Sequence, residues 1–139
     1  MKAYLAGAIL GQSDAECREW RKDAAKALAE IGVEALDPLR RDFRGVEVEN
    51  MSVIIDANIA DIEASDIVLV KGNIPSWGTA MEIVYAYGMD KFIVVWGVGD
   101  VISPWLKFHT DAQEKTMELA LARIVEFIES TKHIGSKSK

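Results

Sequence analysis

Apolar residues in this chain follow two patterns in turn. Short unbroken runs, Ile67-Val68-Leu69-Val70 and Phe92-Ile93-Val94-Val95-Trp96, have the length and β-branched character of buried strands. Ala3 to Ala6, ended by Gly7, and Val33-Glu34-Ala35-Leu36, closed by Asp37-Pro38, read the same way. Residues Ala112 to Lys115 read as a short fifth strand. Between these runs the apolar positions recur at helical spacing. Ser13 or Asp14 caps a helix to about Ile31, with Gly32 as its stop. Ser52 caps a second through about Ala64, with Ile54, Ile55, Ile59 and Ile62 on one face. A third runs from the Pro75–Thr79 segment through Tyr87 and ends at Gly88. Thr116 caps a last one to about Ser130. Pro104 to His109 keeps no clear period. Leu39 to Asn50 is a polar connection, longer than usual and therefore a candidate functional loop.

Strands alternating with helices predict an α/β fold: a parallel sheet with helices on both faces, three layers in all. Right-handed crossovers leave few topologies, and a doubly wound, five-stranded, flavodoxin-like order is the natural one. Its switch point falls between the first and third strands, which sets the Gly7 loop beside the segment Gly72 to Thr79. At 139 residues the chain has room for one core. We expect a single domain over 1–132 and a flexible polar tail over 133–139.

Composition narrows the partners. Half the residues are hydrophobic, and 22 acidic against 16 basic residues give a net charge of −6. That disfavours nucleic acid, whose phosphates need clustered Lys and Arg. The one basic cluster, Arg40-Arg41 with Arg44, is broken by Asp42 and suits a single small anion. Apolar runs stop at strand length, so no membrane span is expected, and the first seven residues are too short for a signal peptide. A lone Cys17 fits a reducing compartment, and the cytoplasm is the expected location. Cys17, His109 and His133 have no metal-ligand spacing. Gly7-x-x-x-Gly11 lacks the third glycine of a dinucleotide fingerprint, and no Gly-Lys-Ser/Thr phosphate loop occurs. No cofactor is expected.

The chemistry concentrates on Pro75-Ser76-Trp77-Gly78-Thr79-Ala80-Met81-Glu82-Ile83. This segment sets a carboxylate, Glu82, in the first turns of a helix just past the carboxyl end of a strand. Ligands bind at that edge of an open α/β sheet. Tyr4 lies on the first strand, and Asp56, Asn58 and Asp61 on the second helix. Gly78 permits close approach of backbone to ligand, and amides at that helix start can hold an anion. Plainer readings stand beside these. Tyr4 can be a packed strand residue and Ser76 a simple helix cap. Trp77 can cover core instead of stacking on a base, and Asp56 and Asp61 can be ordinary helix surface.

Tyr4-Leu5-Ala6-Gly7, the segment Asp56 to Asp66, Gly78-Thr79-Ala80-Met81-Glu82 and Tyr85-Ala86-Tyr87-Gly88 together resemble the nucleoside 2-deoxyribosyltransferase family over about the first hundred residues. The resemblance implies that Glu82 is the nucleophile toward C1′ of a 2′-deoxynucleoside and that Tyr4 orients it. It implies sugar or base contacts from Asp56 and Asn58, and a substrate site lined by Gly7, Ser76, Trp77, Gly78 and Thr79. It also implies a homodimer or larger homo-oligomer with shared active sites, and Tyr85, Tyr87, Met89 and Trp105 are candidate interface residues. The family usually has aspartate where Asn58 stands. Pro75-Ser76-Trp77-Gly78 resembles a related branch, the 2′-deoxynucleoside 5′-monophosphate N-glycosidases, whose serine helps bind the phosphate. That branch carries an arginine in the Gly7–Gly11 loop which this chain lacks, so Arg18, Arg21 or Arg41 would have to compensate. Deoxyribosyl transfer between nucleobases is the first reading, hydrolysis of a 5′-monophosphate the second, and a nucleotide-binding sensor without turnover the third.

Overall fold

A computed structural model describes residues 1–136 of the chain. Five strands, β1 (Lys2–Gly7), β2 (Glu34–Leu36), β3 (Ile67–Lys71), β4 (Phe92–Trp96) and β5 (Ala112–Glu114), form one sheet in the order β2-β1-β3-β4-β5. Every neighbouring pair is parallel. This is the flavodoxin-like order, with its switch point between β1 and β3. Helices α1 (Asp14–Glu30), α2 (Met51–Ala64), α3 (Trp77–Gly88), α4 (Pro104–Phe108) and α5 (Met117–Ser136) make the crossovers.

Alternation along each strand splits the core in two. Leu5, Leu69 and Val94 face α1 and α5, where Trp20, Leu28 and Ile124 meet them. Tyr4, Val68, Val70 and Ile93 face the opposite layer, with Ile62 of α2 and Ile83 of α3. So Tyr4 points to the side that carries Glu82. This follows from strand register alone: β1 and β3 pair with Tyr4 opposite Val68 and Gly7 opposite Lys71.

Local signals behave largely as the sequence predicts. Ser13 caps α1 through a full capping box with Glu16, and Gly32 follows the helix at φ +77°, a conformation that favours glycine. Thr116 caps α5 through the Leu119 amide. Three readings need correction. Ser52 lies inside α2, which begins at Met51 directly after a 3-10 turn, Val48–Asn50; the Asn50 amide meanwhile bonds the Val46 carbonyl. The isoleucine face of α2 is mostly uncovered: Ile62 is buried, whereas Ile55 is 53% exposed, because the amino-terminal part of the helix overhangs the sheet. Finally, α5 continues past Ser130 to Ser136, so His133 to Ser136 are helical, and the rest of the expected tail, 137–139, lies outside the described residues. Pro104–Phe108, unassigned from sequence, is a short helix with proline in its first turn.

Among the described residues no helix is long and apolar enough to cross a membrane.

Candidate active site

The switch point brings Tyr4 and Glu82 together. The Tyr4 hydroxyl, on a wholly buried ring, donates a short hydrogen bond to Glu82 Oε2 across 78 residues of sequence. Glu82 gets there because α3 starts at Trp77, right after the β3 loop, so its sixth residue returns over the sheet beside β1. Ser76 sets that start: it is the N-cap, and its Oγ accepts from the Thr79 amide at 3.4 Å. Thr79 and Ile83 are buried against the sheet on the same helix face.

Burial pushes the Glu82 carboxyl up to about 7, while the Tyr4 hydrogen bond and the Arg21 charge pull it down. Burial, the Glu82 charge and the shared hydrogen bond raise the Tyr4 phenol, so it stays a donor throughout the physiological range. The pair therefore holds a carboxylate with one oxygen fixed by Tyr4 and the other, Oε1, uncommitted.

The remaining predicted residues divide. Gly78 faces open space, since a Cβ there would meet nothing within 4 Å. Trp77 is 86% exposed and so covers no core. Ser76, Trp77 and Thr79 line a cavity of about 630 Å³ between α3 and α4, together with Ile74, Val84 and Trp105. Glu82 is not among its lining residues; it lies on the β1 side of α3. Gly7 is buried at the end of β1, where a Cβ would come within 2.9 Å of the Trp20 ring; its carbonyl accepts from Arg21. Asn58 is half-buried on α2, on the helix face shared with Asp61 and Ile62. Asp56 is exposed, and two helical residues put it about 200° around from Asn58, so α2 does not bring both to the pair. His109 stays with α4: its Nδ1 lies 2.7 Å from the Trp105 carbonyl and its ring stacks on Trp105.

Two residues matter more than the sequence reading allowed. Asp61 is paired with Arg40 Nη2 at 2.7 Å and Arg41 Nη2 at 2.5 Å, and its charge acts on Tyr4. Burial pushes its carboxyl up, but the two arginines outweigh that and hold it below its usual range. They tie the 39–50 connection to α2, and Arg44 with Arg18 ties the same connection to α1 through Asp42 and Asp14. The second residue is Arg21, buried with its charge intact. Its position was readable as an arginine inside the α1 stripe Cys17, Trp20, Ala24, Leu28. The three arginines considered for a phosphate thus each have an acidic neighbour: Arg18 has Asp14 and Asp42, Arg41 has Asp61, and Arg21 lies 3.7 Å from Asp37.

Comparison with known proteins places this geometry. The sequence profile described as nucleoside 2-deoxyribosyltransferase matches residues 3–120. A solved 2-desoxiribosyltransferase from Leishmania mexicana superposes with a TM-score of 0.68 at 20% identity, over 90% of this chain and 97% of that one. The CMP N-glycosidase BcmB of Clostridium botulinum superposes with a TM-score of 0.58 at 16% identity, over 83% of this chain and 88% of that one. These two likenesses show a shared fold. A curated relative, the bifunctional protein GlmU of Acinetobacter baumannii (strain ACICU), is 31% identical over 130 residues, and the match takes in 87% of this chain but only 28% of that protein. With the profile matching most of its length, the chain belongs to the nucleoside 2-deoxyribosyltransferase family.

Proposed function

We propose that this protein transfers 2-deoxyribose between nucleobases, with Glu82 as the nucleophile. The observation that carries this reading is the Tyr4–Glu82 hydrogen bond at the switch point. Glu82 Oε1 attacks C1′ of a 2′-deoxynucleoside; the C1′–N bond breaks and its electron pair leaves with the base, which takes up a proton. The sugar is then an ester of Glu82. A nitrogen of a second base attacks C1′, loses its proton, and returns Glu82 to the carboxylate. Splitting one displacement into two is the logic of retaining glycosidases. A carboxyl titrating near 7 is ionised often enough to attack at neutral pH and basic enough to bond carbon well. Asn58 is the α2 side chain assigned to the sugar or base, in place of the exposed Asp56.

One observation favours a second reading, hydrolysis of a deoxynucleoside 5′-monophosphate. Ser76 stands at the start of α3, where amides and a hydroxyl suit a phosphate, and one fold neighbour is described as a CMP N-glycosidase. Against it, the nearby arginines are already engaged by carboxylates.

Incubation with deoxyinosine and adenine, followed by chromatography, separates the readings. New deoxyadenosine supports transfer. Free base and sugar without deoxyadenosine overturn it in favour of hydrolysis. Glu82→Ala is expected to lower either rate by at least about a thousandfold.

A further inference from the structure

Among the described residues Arg21 is the only charged one that is buried. Its Nη1 donates to the Cys17 carbonyl at 2.8 Å and its Nη2 to the Gly7 carbonyl at 3.0 Å. The face of the Trp20 ring lies 4.6 Å from the guanidinium carbon. Nε has no hydrogen-bond partner; the nearest carboxylate oxygen, Asp37 Oδ1, is 3.7 Å away and already accepts from the Leu39 amide. The guanidinium thus bridges the carboxyl ends of β1 and β2, directly under the switch point.

Keeping an incompletely paired cation inside a protein costs stability. An apolar side chain in the same α1 stripe would pack against Trp20 and Ala24 without that cost. A charge kept there calls for something that uses it. We propose that Arg21 is a positioning residue for the reaction: its buried guanidinium anchors the end of β1 and holds the Glu82 carboxyl in the charged form that attacks C1′. The proposal rests on Glu82 being the nucleophile. Arg21 has no exposed side-chain surface, so it acts without touching substrate. Its charge opposes the burial that raises both Glu82 and Tyr4. Without it, burial would carry the carboxyl further up, and less of it would be ionised at neutral pH.

Arg21→Gln and Arg21→Lys test this, because both keep a donor for the Gly7 carbonyl and only one keeps the charge. The Glu82 carboxyl is titrated by carbon NMR in labelled protein, assigned against Glu82→Gln, and deoxynucleoside cleavage is followed against pH. Arg21→Gln is expected to move the midpoint and the acid limb of the rate profile up by about one pH unit or more, and Arg21→Lys to leave both nearly unmoved. An unmoved midpoint in Arg21→Gln overturns the proposal, even if the rate falls, because that is the mark of a purely structural arginine. If Arg21→Gln does not fold, Arg21→Lys decides: an unmoved midpoint supports the proposal and a rise of about one unit overturns it. The titration needs no turnover. Continued turnover by Glu82→Gln would sink the nucleophile reading separately, whatever the midpoint does.

Discussion

Glu82 carries a cost that its neighbours only partly offset. Its carboxyl stands near 7 in the folded protein, against an ordinary value of 4.5. A raised pKa favours folding while the group is protonated, so that contribution is complete below pH 4.5 and is lost as pH rises through about 7. Glu82→Gln removes the dependence. Urea unfolding is expected to find the variant equal to the parent near pH 4 and more stable by about 1–3 kcal/mol at pH 8, after discounting for partial exposure. A gap that does not widen with pH contradicts the burial argument. Glu82 was legible in the sequence because a carboxylate following a strand, a glycine-bearing loop and a helix start has few structural reasons to be there. Arg21 and Asp61 were less so: an arginine on an apolar stripe is visible, but its neighbours at the ends of β1 and β2 are set by tertiary approach. Asp56 and Asn58, two apart, could not be ranked until the facing of α2 was known.

Among the elements, the 39–50 connection departs most from what its composition suggests. A polar stretch of that length reads as loose loop. Instead it contains part of one 3-10 turn and all of another, and five arginine–carboxylate contacts tie it to α1 and α2. Individually such partly exposed pairs are worth little, but Asp61 serves two arginines at once from a largely shielded position. Asp61→Asn is therefore expected to loosen the connection with little change in overall stability. Trypsin cleavage after Arg40 and Arg41 should accelerate several-fold, about as a loss of 1 kcal/mol in local closure would give. Cleavage at the parental rate would mean that the 3-10 turns alone hold the segment. The strands themselves were the easiest elements to read, since buried parallel strands are nearly unbroken apolar runs. Helix α2 was the hardest: an isoleucine face says that something apolar is wanted, not that this chain supplies it.

For the whole molecule, that uncovered apolar surface bears on assembly. Val53 and Ile55 on α2, Met81 and Tyr85 one turn apart on α3, and Trp105 on α4 are all about half exposed or more. We expect copies of the chain to associate through this side, as the family resemblance implies. Light scattering coupled to gel filtration should give a mass above that of one chain, and Tyr85→Arg should lower it. A single-chain mass for the parent at micromolar concentration would end the expectation. The order β2-β1-β3-β4-β5 also has a consequence for how the chain is made. β1 forms the inner edge of the switch point and pairs with both β2 and β3, yet β3 ends only at Lys71. On the ribosome, the first strand must therefore wait with one side open while more than sixty further residues emerge. Tyr4 leaves the exit tunnel long before Glu82 exists to receive its proton, so the catalytic pair is among the last contacts a nascent chain can make.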